Sequence, residues 1–199
     1  MRSGFRVVVV AMVTTFGVSA CGGGGESGPP TTTIDFHFSD DFAPACRGNA
    51  VEGVAAYDPA VPGVHKTVFL EGTSPNDLSE SFLDVPTEWT IQFSSDSDEY
   101  AKGELAVCIL RSATTLVQEC TGYQNDGVEI DAVVKLYSAT YDVAVHKAAT
   151  GEQLGSTQVV AEATDCPTFV SFNDGAKERD WFETDAGAIA DFVTQFAQT

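Results

Sequence analysis

The sequence predicts a mostly β fold, an antiparallel β-sandwich of about eight strands closed by one C-terminal α-helix. Three observations carry this. Short stretches of alternating apolar and polar residues recur between turn residues. The intervening helices that a doubly wound α/β fold demands are missing from the pattern. Only the last stretch changes its period from two residues to that of a helix.

The elements follow in order. Residues 33–39 put Ile34, Phe36 and Phe38 on one face and Asp35, His37 and Ser39 on the other, as a half-buried strand does. Residues 43–49 form a loop around Cys46. A second strand over residues 64–71 holds the run Val68-Phe69-Leu70, after the turn residues Pro62-Gly63. Trp89-Thr90-Ile91-Gln92-Phe93 alternates again as a third, with Trp89 in the core. Residues 104–110 form a buried fourth strand around Cys108, and residues 116–123 a fifth around Cys120, with polar residues 111–115 as the turn between them. Val128, Ile130, Ala132, Val134 and Leu136 share one face of a sixth strand. Tyr141, Val143 and Val145 share one face of a seventh, and residues 158–163 make an eighth after Thr150-Gly151-Glu152. Several short strands at such spacing are the mark of a sandwich. Ile189, Phe192, Val193 and Phe196 then fall on one helical face, with Asp185 placed to cap the helix.

The chain has 199 residues, and 43% are hydrophobic, which is enough to bury the core of one ordinary domain. It carries 10 Lys and Arg against 29 Asp and Glu, a formal net charge of −19. So acidic a surface excludes nucleic acid as a partner, because binding phosphates takes clustered cations.

Residues 1–20 have the layout of a secretory signal peptide. Arg2 and Arg6 precede an apolar stretch opened by Val7-Val8-Val9-Val10, and small residues Ser19 and Ala20 lead to a cleavage position. That stretch is shorter than the ~20 apolar residues needed to span a bilayer. The tetrapeptide Val18-Ser19-Ala20-Cys21 resembles the lipobox of bacterial lipoproteins. The resemblance implies cleavage before Cys21, lipid attachment (palmitate among the acyl chains) to that cysteine, and stable anchoring in a membrane. Gly22 is unlike the Asp that often retains such proteins in an inner membrane, so the expected place is the cell envelope, at the outer membrane or cell surface. Residues 21–33 are rich in Gly, Pro and Thr and form a tether with an r.m.s. reach of roughly 20 Å. Residues 34–199 are the expected single ectodomain.

Outside the cytosol, the four other cysteines, Cys46, Cys108, Cys120 and Cys166, imply two disulfides and allow three connectivities. A hairpin at residues 111–115 would bring Cys108 to Cys120 and leave Cys46 to Cys166.

Signatures of catalysis are not found: there is no Gly-x-Ser-x-Gly elbow, no His-Glu-x-x-His and no Ser-x-x-Lys set. Of three histidines, His37 and His146 sit on polar strand faces and read as solvated, and His65 follows a turn. Dense carboxylates at Asp96, Asp98 and Glu99 are a candidate calcium site, since calcium takes several converging oxygens, although they do not match the twelve-residue calcium loop. Trp181, expected in a polar loop before the helix, is a candidate ligand platform. The stretch from Tyr141 to Glu152, followed by Cys166-Pro167, together with Tyr57 and Pro62-Gly63-Val64-His65, resembles segments of bacterial surface and membrane-anchored proteins of unknown function. That likeness implies structure and no activity. The expectation is therefore a non-enzymatic envelope lipoprotein without a cofactor, acting as an interaction or structural module. Its partners would be the membrane, through Cys21, and an envelope protein. The alternative is a protein that binds carbohydrate or calcium, or a hydrolase with dispersed catalytic residues.

Overall fold

The computed structural model describes residues 36–172 and 176–199, so the signal segment, Cys21, the tether and Ile34 lie outside the described residues. Its strands in chain order are β1 (Thr67–Ser74), β2 (Asp77–Glu80), β3 (Leu105–Cys120), β4 (Gln124–Asn125), β5 (Val128–Glu129), β6 (Val133–Lys147), β7 (Gln153–Ala161) and β8 (Glu178–Phe182). One helix, α1 (Ala186–Ala197), follows them.

The spine is the antiparallel ladder between β3 and β6, in register from Leu105 opposite Lys147 to Cys120 opposite Val134. Each of these strands fuses two that the sequence pattern separates. Residues 111–115 do not turn. They contain neither Gly nor Pro, and Thr114 and Thr115 are β-branched residues that suit a strand. The polar stretch is the exposed middle of one 16-residue strand, with bulges between Arg111 and Ala113 and between Leu116 and Gln118.

The sheet runs β2-β1-β3-β6-β7, and β8 pairs with the first half of β6 beyond the end of β7. β1 runs parallel to β3, and β8 parallel to β6. The protein is thus mostly β with one C-terminal helix, as expected. The antiparallel sandwich gives way, among the described residues, to one mixed six-stranded sheet and the small β4–β5 hairpin.

Two expected strands are absent among the described residues. Residues 36–38 have no ladder partner and lead into a 3-10 turn at Ser39–Phe42, where the Asp41 carboxylate accepts the Phe38 N–H at 2.8 Å. Phe42 is driven into the core there, over Gly103, where a Cβ would come within 2.5 Å of its ring. Residues 89–93 form no strand either, although Trp89 is in the core as expected, its backbone N–H bonded to the Pro86 carbonyl at 3.0 Å. Conversely β2 and β8 were invisible, because Asp-Leu-Ser-Glu and Glu-Arg-Asp-Trp-Phe carry too few apolar residues to show a buried face.

Each face of the sheet has its own cover. Tyr141, Val143 and Val145 of β6 pack with Leu105, Val107 and Ile109 of β3 beneath α1. The helix is capped by Asp185, whose carboxylate accepts the Ala188 N–H at 2.9 Å, and buries Ile189, Val193 and Ala197. Phe192 and Phe196 reach over β7 at Gly155, where a Cβ would come within 2.7 Å of the Phe196 ring. The opposite face, carrying Val68, Leu70 and Ala106, is covered by Phe42, Ala45, Val51 and Tyr100 from irregular segments. At the far end of that face Val134 and Leu136 form a separate cluster with Cys120 and Ala163.

The disulfides are Cys46–Cys108 and Cys120–Cys166, which corrects the expected pairing. Cys108 and Cys120 lie 12 residues apart on one strand, about 40 Å at the rise of an extended chain, and cannot meet. Their register partners Ala144 and Val134 are both even-numbered on β6, so both cysteines face the same way. Each therefore staples a loop layer to one end of the same face. With loop separations of 62 and 46 residues, each bridge is worth about 4 kcal/mol on the chain-entropy account. A non-reduced proteolytic digest should contain peptides linked 46 to 108 and 120 to 166, and none linked 108 to 120. Ile189→Ala should cost about 2–5 kcal/mol of unfolding free energy in denaturant titration, since the side chain is fully buried between helix and sheet.

Candidate functional site: a cleft at the far end of the sheet

Beyond Cys120 the chain leaves the sheet through Gly122, whose φ of 82° suits glycine, and forms the β4–β5 hairpin. That hairpin closes through Asp126-Gly127, both at positive φ, as a two-residue turn of the twisted type requires. Facing it is the segment 163–172, drawn in by the Cys120–Cys166 bridge. Tyr123 donates its hydroxyl to the Pro167 carbonyl at 3.1 Å, and the Arg179 guanidinium donates to the Ser171 carbonyl.

Between them lies a cleft of about 610 Å³ lined by Tyr123, Ile130, Pro167, Phe169 and Phe172, with Thr121, Gln124, Thr168 and Ser171 as polar groups. The volume falls within the range of small-molecule sites. Tyr123 meets Phe172 edge to face with ring centroids 5.9 Å apart, and burial raises the Tyr123 phenol above its ordinary range. Phe169 is 88% exposed and adds an aromatic face to the lining.

Trp181 is not in a loop and does not line this cleft. It sits on β8 opposite Leu136, half-buried, packing behind the cleft against the cluster of Val134, Leu136 and Cys120. The Arg179 guanidinium lies 5.8 Å from its ring. The tryptophan packs behind the cleft, and the exposed aromatic of the lining that sequence reasoning missed is Phe169. No periodic signal surrounds Phe169, so only its place beside Cys166-Pro167 could have pointed to it.

The structure does not bring Asp96, Asp98 and Glu99 together as a calcium site. Among the described residues no three metal-ligating side chains converge. Asp98 spends one oxygen on the backbone N–H groups of His37 (3.2 Å) and Ala101 (3.1 Å) and holds the other 2.6 Å from His37 Nδ1. Glu99 is paired with Lys102 at 2.5 Å and accepts the Ser97 hydroxyl at 2.5 Å, while Asp96 is exposed. The Asp98 and Glu99 carboxylates are already satisfied by protein donors.

None of the histidines is merely solvated. His37 clasps Asp98 and places Nε2 2.8 Å from the Glu52 carbonyl. His146 is buried in the β6–β7 hairpin with Nδ1 3.1 Å from the Gly151 carbonyl, because the segment carrying Val51 covers its face. His65 is buried with Nδ1 2.6 Å from Glu104 Oε2 and Nε2 3.1 Å from Thr199 Oγ, and the Tyr57 ring stands edge-on at 4.6 Å. This acid–imidazole–hydroxyl row has the outline of a nucleophile relay. The Thr199 hydroxyl, however, has the Val61 carbonyl as an acceptor at 3.0 Å, and the backbones of Thr199 and Gly63 bond to each other twice. A hydroxyl donating to that carbonyl has no second hydrogen for His65. The cluster fastens Thr199 and the Gly63 turn to β3, and its partners lie too far apart in sequence to be seen there.

Compared with family models, curated proteins and solved structures, the chain matches none.

The His37–Asp98 clasp has a definite pH signature. The hydrogen bond to Asp98 raises the His37 pKa above 6.5, against an opposing effect of burial. Burial pushes Asp98 up, but bonds from the His37 ring, the His37 N–H and the Ala101 N–H outweigh it and leave Asp98 below 3.8. A raised histidine contributes stability that is full below 6.5 and fades as pH climbs through the folded value. A depressed aspartate contributes stability that is full above 3.8 and fades as pH falls through its lowered value. The clasp is therefore strongest between about pH 4 and 6.5. Histidine NMR should show His37 titrating above 6.5, and lower in Asp98→Asn than in the wild type.

Proposed function

We propose that this protein is an envelope lipoprotein whose folded part is a non-enzymatic binding module, displayed on a lipid at Cys21 and working through the aromatic cleft. The observation that carries the reading is the cleft of about 610 Å³, with exposed Phe169 in its lining and a loop held by a disulfide. A disulfide-held loop loses less freedom on binding than a free one, so more of the contact energy appears as affinity. The two disulfides indicate an oxidising, extracytoplasmic compartment. Among the described residues no helix is long and apolar enough to cross a membrane. The lipobox-like Val18-Ser19-Ala20-Cys21 supplies the anchor in this reading, and the outer membrane or cell surface its location.

Carbohydrate is the ligand class that the lining favours. Aromatic faces of Tyr123, Phe169 and Phe172 suit the apolar faces of sugar rings, while Thr121, Gln124, Thr168 and Ser171 offer hydroxyls and an amide for sugar hydroxyls. Calcium is disfavoured by the satisfied carboxylates at Asp98 and Glu99. An envelope protein partner inserting an apolar side chain is the second occupant the cleft would take.

Two measurements test this. Cys21→Ala should move the protein from the membrane to the soluble fraction of its cells; unchanged fractionation would remove the anchor from the proposal. Purified envelope polysaccharide should raise the melting temperature of the wild-type chain, because a ligand of the native state stabilises it by mass action. Phe169→Ala should abolish that rise while leaving unliganded melting unchanged, given its exposure. Equal shifts in both would show that the cleft is not the binding site.

A further inference from the structure

Within the six-stranded sheet, four strands keep an outer edge without a ladder partner among the described residues: β2, β7, β8 and the far part of β3, residues 111–119, beyond the last β1 pair at Leu110. Such edges are templates for another strand. When a strand pairs antiparallel with its own copy about its midpoint, its first residue faces its last. For β2 that sets Asp77 against Glu80, for β8 it sets Asp180 against itself, and for β7 it sets the flanking Glu152 against Glu162. Like charges directly opposite are destabilising. On β3 alone the ends have opposite sign, and Arg111 falls opposite Glu119 of the second copy.

We propose that the chain self-associates through this edge, as a symmetric antiparallel pair of β3 strands centred on Thr115. Every residue from Ser112 to Glu119 is exposed, and residues 112–118 carry no charge in a chain of net charge −19. That is where two acidic copies can approach. Leu116 and Val117, 48% and 45% exposed, lose solvent contact on pairing.

The charged ends also share a face. Arg111 pairs with Tyr141 and Glu119 with Lys135, both odd-numbered on the unbulged β6, so the two side chains project to the same side of the sheet. The Arg111 guanidinium lies over the Phe182 ring, 3.5 Å from its centroid. Stacking uses its face and leaves its N–H rim for a carboxylate. Lys135, beside Glu119, is already paired with Glu178. Two bulges, which commonly blunt an edge, flank a regular run of Ala113, Thr114, Thr115 and Leu116, one between Arg111 and Ala113 and the other just past the axis between Leu116 and Gln118. Next to Arg111, β1 turns off toward β2, with a bulge after Gly72, and leaves an open space of about 280 Å³ in which Arg111 stands among Glu71, Asp77 and Glu80.

The test is sedimentation velocity on the full chain, in mild detergent where it carries lipid, from low micromolar to sub-millimolar concentration. The wild type should pass from monomer to dimer. Arg111→Glu or Glu119→Arg sets two like-charged pairs across the axis and should each weaken the dimer by roughly tenfold or more. Mixing the two single variants should restore a dimer, because each then supplies the charge the other lacks. Thr115→Lys, placing two ammonium groups at the axis, should abolish it. Glu119→Arg and Thr115→Lys change exposed residues and should melt like the wild type, which separates loss of pairing from loss of fold. A wild type that stays monomeric throughout overturns the proposal. So does a dimer that survives Thr115→Lys, or single variants that do not recover on mixing.

Discussion

The ladder between β3 and β6 is the constraint on which the rest of this protein hangs. It is long for a globular strand pair, and no single core runs its length. Apolar residues are concentrated toward its two ends. Near Leu105 and Val145 they are covered on one face by α1 and on the other by Phe42 and its neighbours, and near Cys120 and Val134 by the 163–172 segment. The middle of β3 is exposed and is held to β6 by backbone pairing. Both disulfides root in β3 and each pins an irregular segment to an end of the same face. The covers on that face are loops with modest apolar area, which is where a covalent tie contributes most. The cleft inherits its shape from this arrangement, since its two walls are the chain leaving β3 at Cys120 and the loop that Cys120 holds.

What was legible in the sequence was what is locally determined. The α1 face and its Asp185 cap depend on residues within three or four positions of one another, and both were correct. The apolar cores of β1, β3, β6 and β7 were visible for the same reason. Continuity was not. Ser112-Ala113-Thr114-Thr115 has the polarity of a turn, yet lacks the Gly, Pro, Asn or Asp that supplies turn geometry, and the same holds for Ser138-Ala139-Thr140 in β6. Reading polarity as a break turned two strands into four, and the wrong disulfides followed directly from the hairpin this created. The parallel pairings of β1 and β8 were beyond reach, because neither strand is adjacent in sequence to its partner. In the candidate site, Cys120 and Cys166 were read correctly as disulfide cysteines, while Trp181 was placed in the wrong element and Phe169 was missed.

The charge distribution completes the argument about surfaces. All the described cations have local work. Lys102, Lys135, Lys147 and Lys177 pair with carboxylates. Lys66, Arg47 and Arg179 donate to carbonyl oxygens. Exposed pairs of this kind contribute little to stability, about 0–1 kcal/mol each. Their larger effect is to leave the acidic excess uncompensated over most of the surface. A chain so charged repels its own copies and anionic partners alike, so an interface must form where charge is absent or locally complementary. The cleft and the β3 edge both meet that condition. The cleft is lined by aromatic and neutral polar groups. At the β3 edge Arg111, held over an aromatic ring, stands at one end of an uncharged strand and Glu119 at the other. Raising the ionic strength weakens the general repulsion over a range set by the Debye length, while a close arginine–carboxylate contact is screened less. Moderate salt should therefore strengthen pairing through β3, the reverse of what an interface built on overall charge attraction would show.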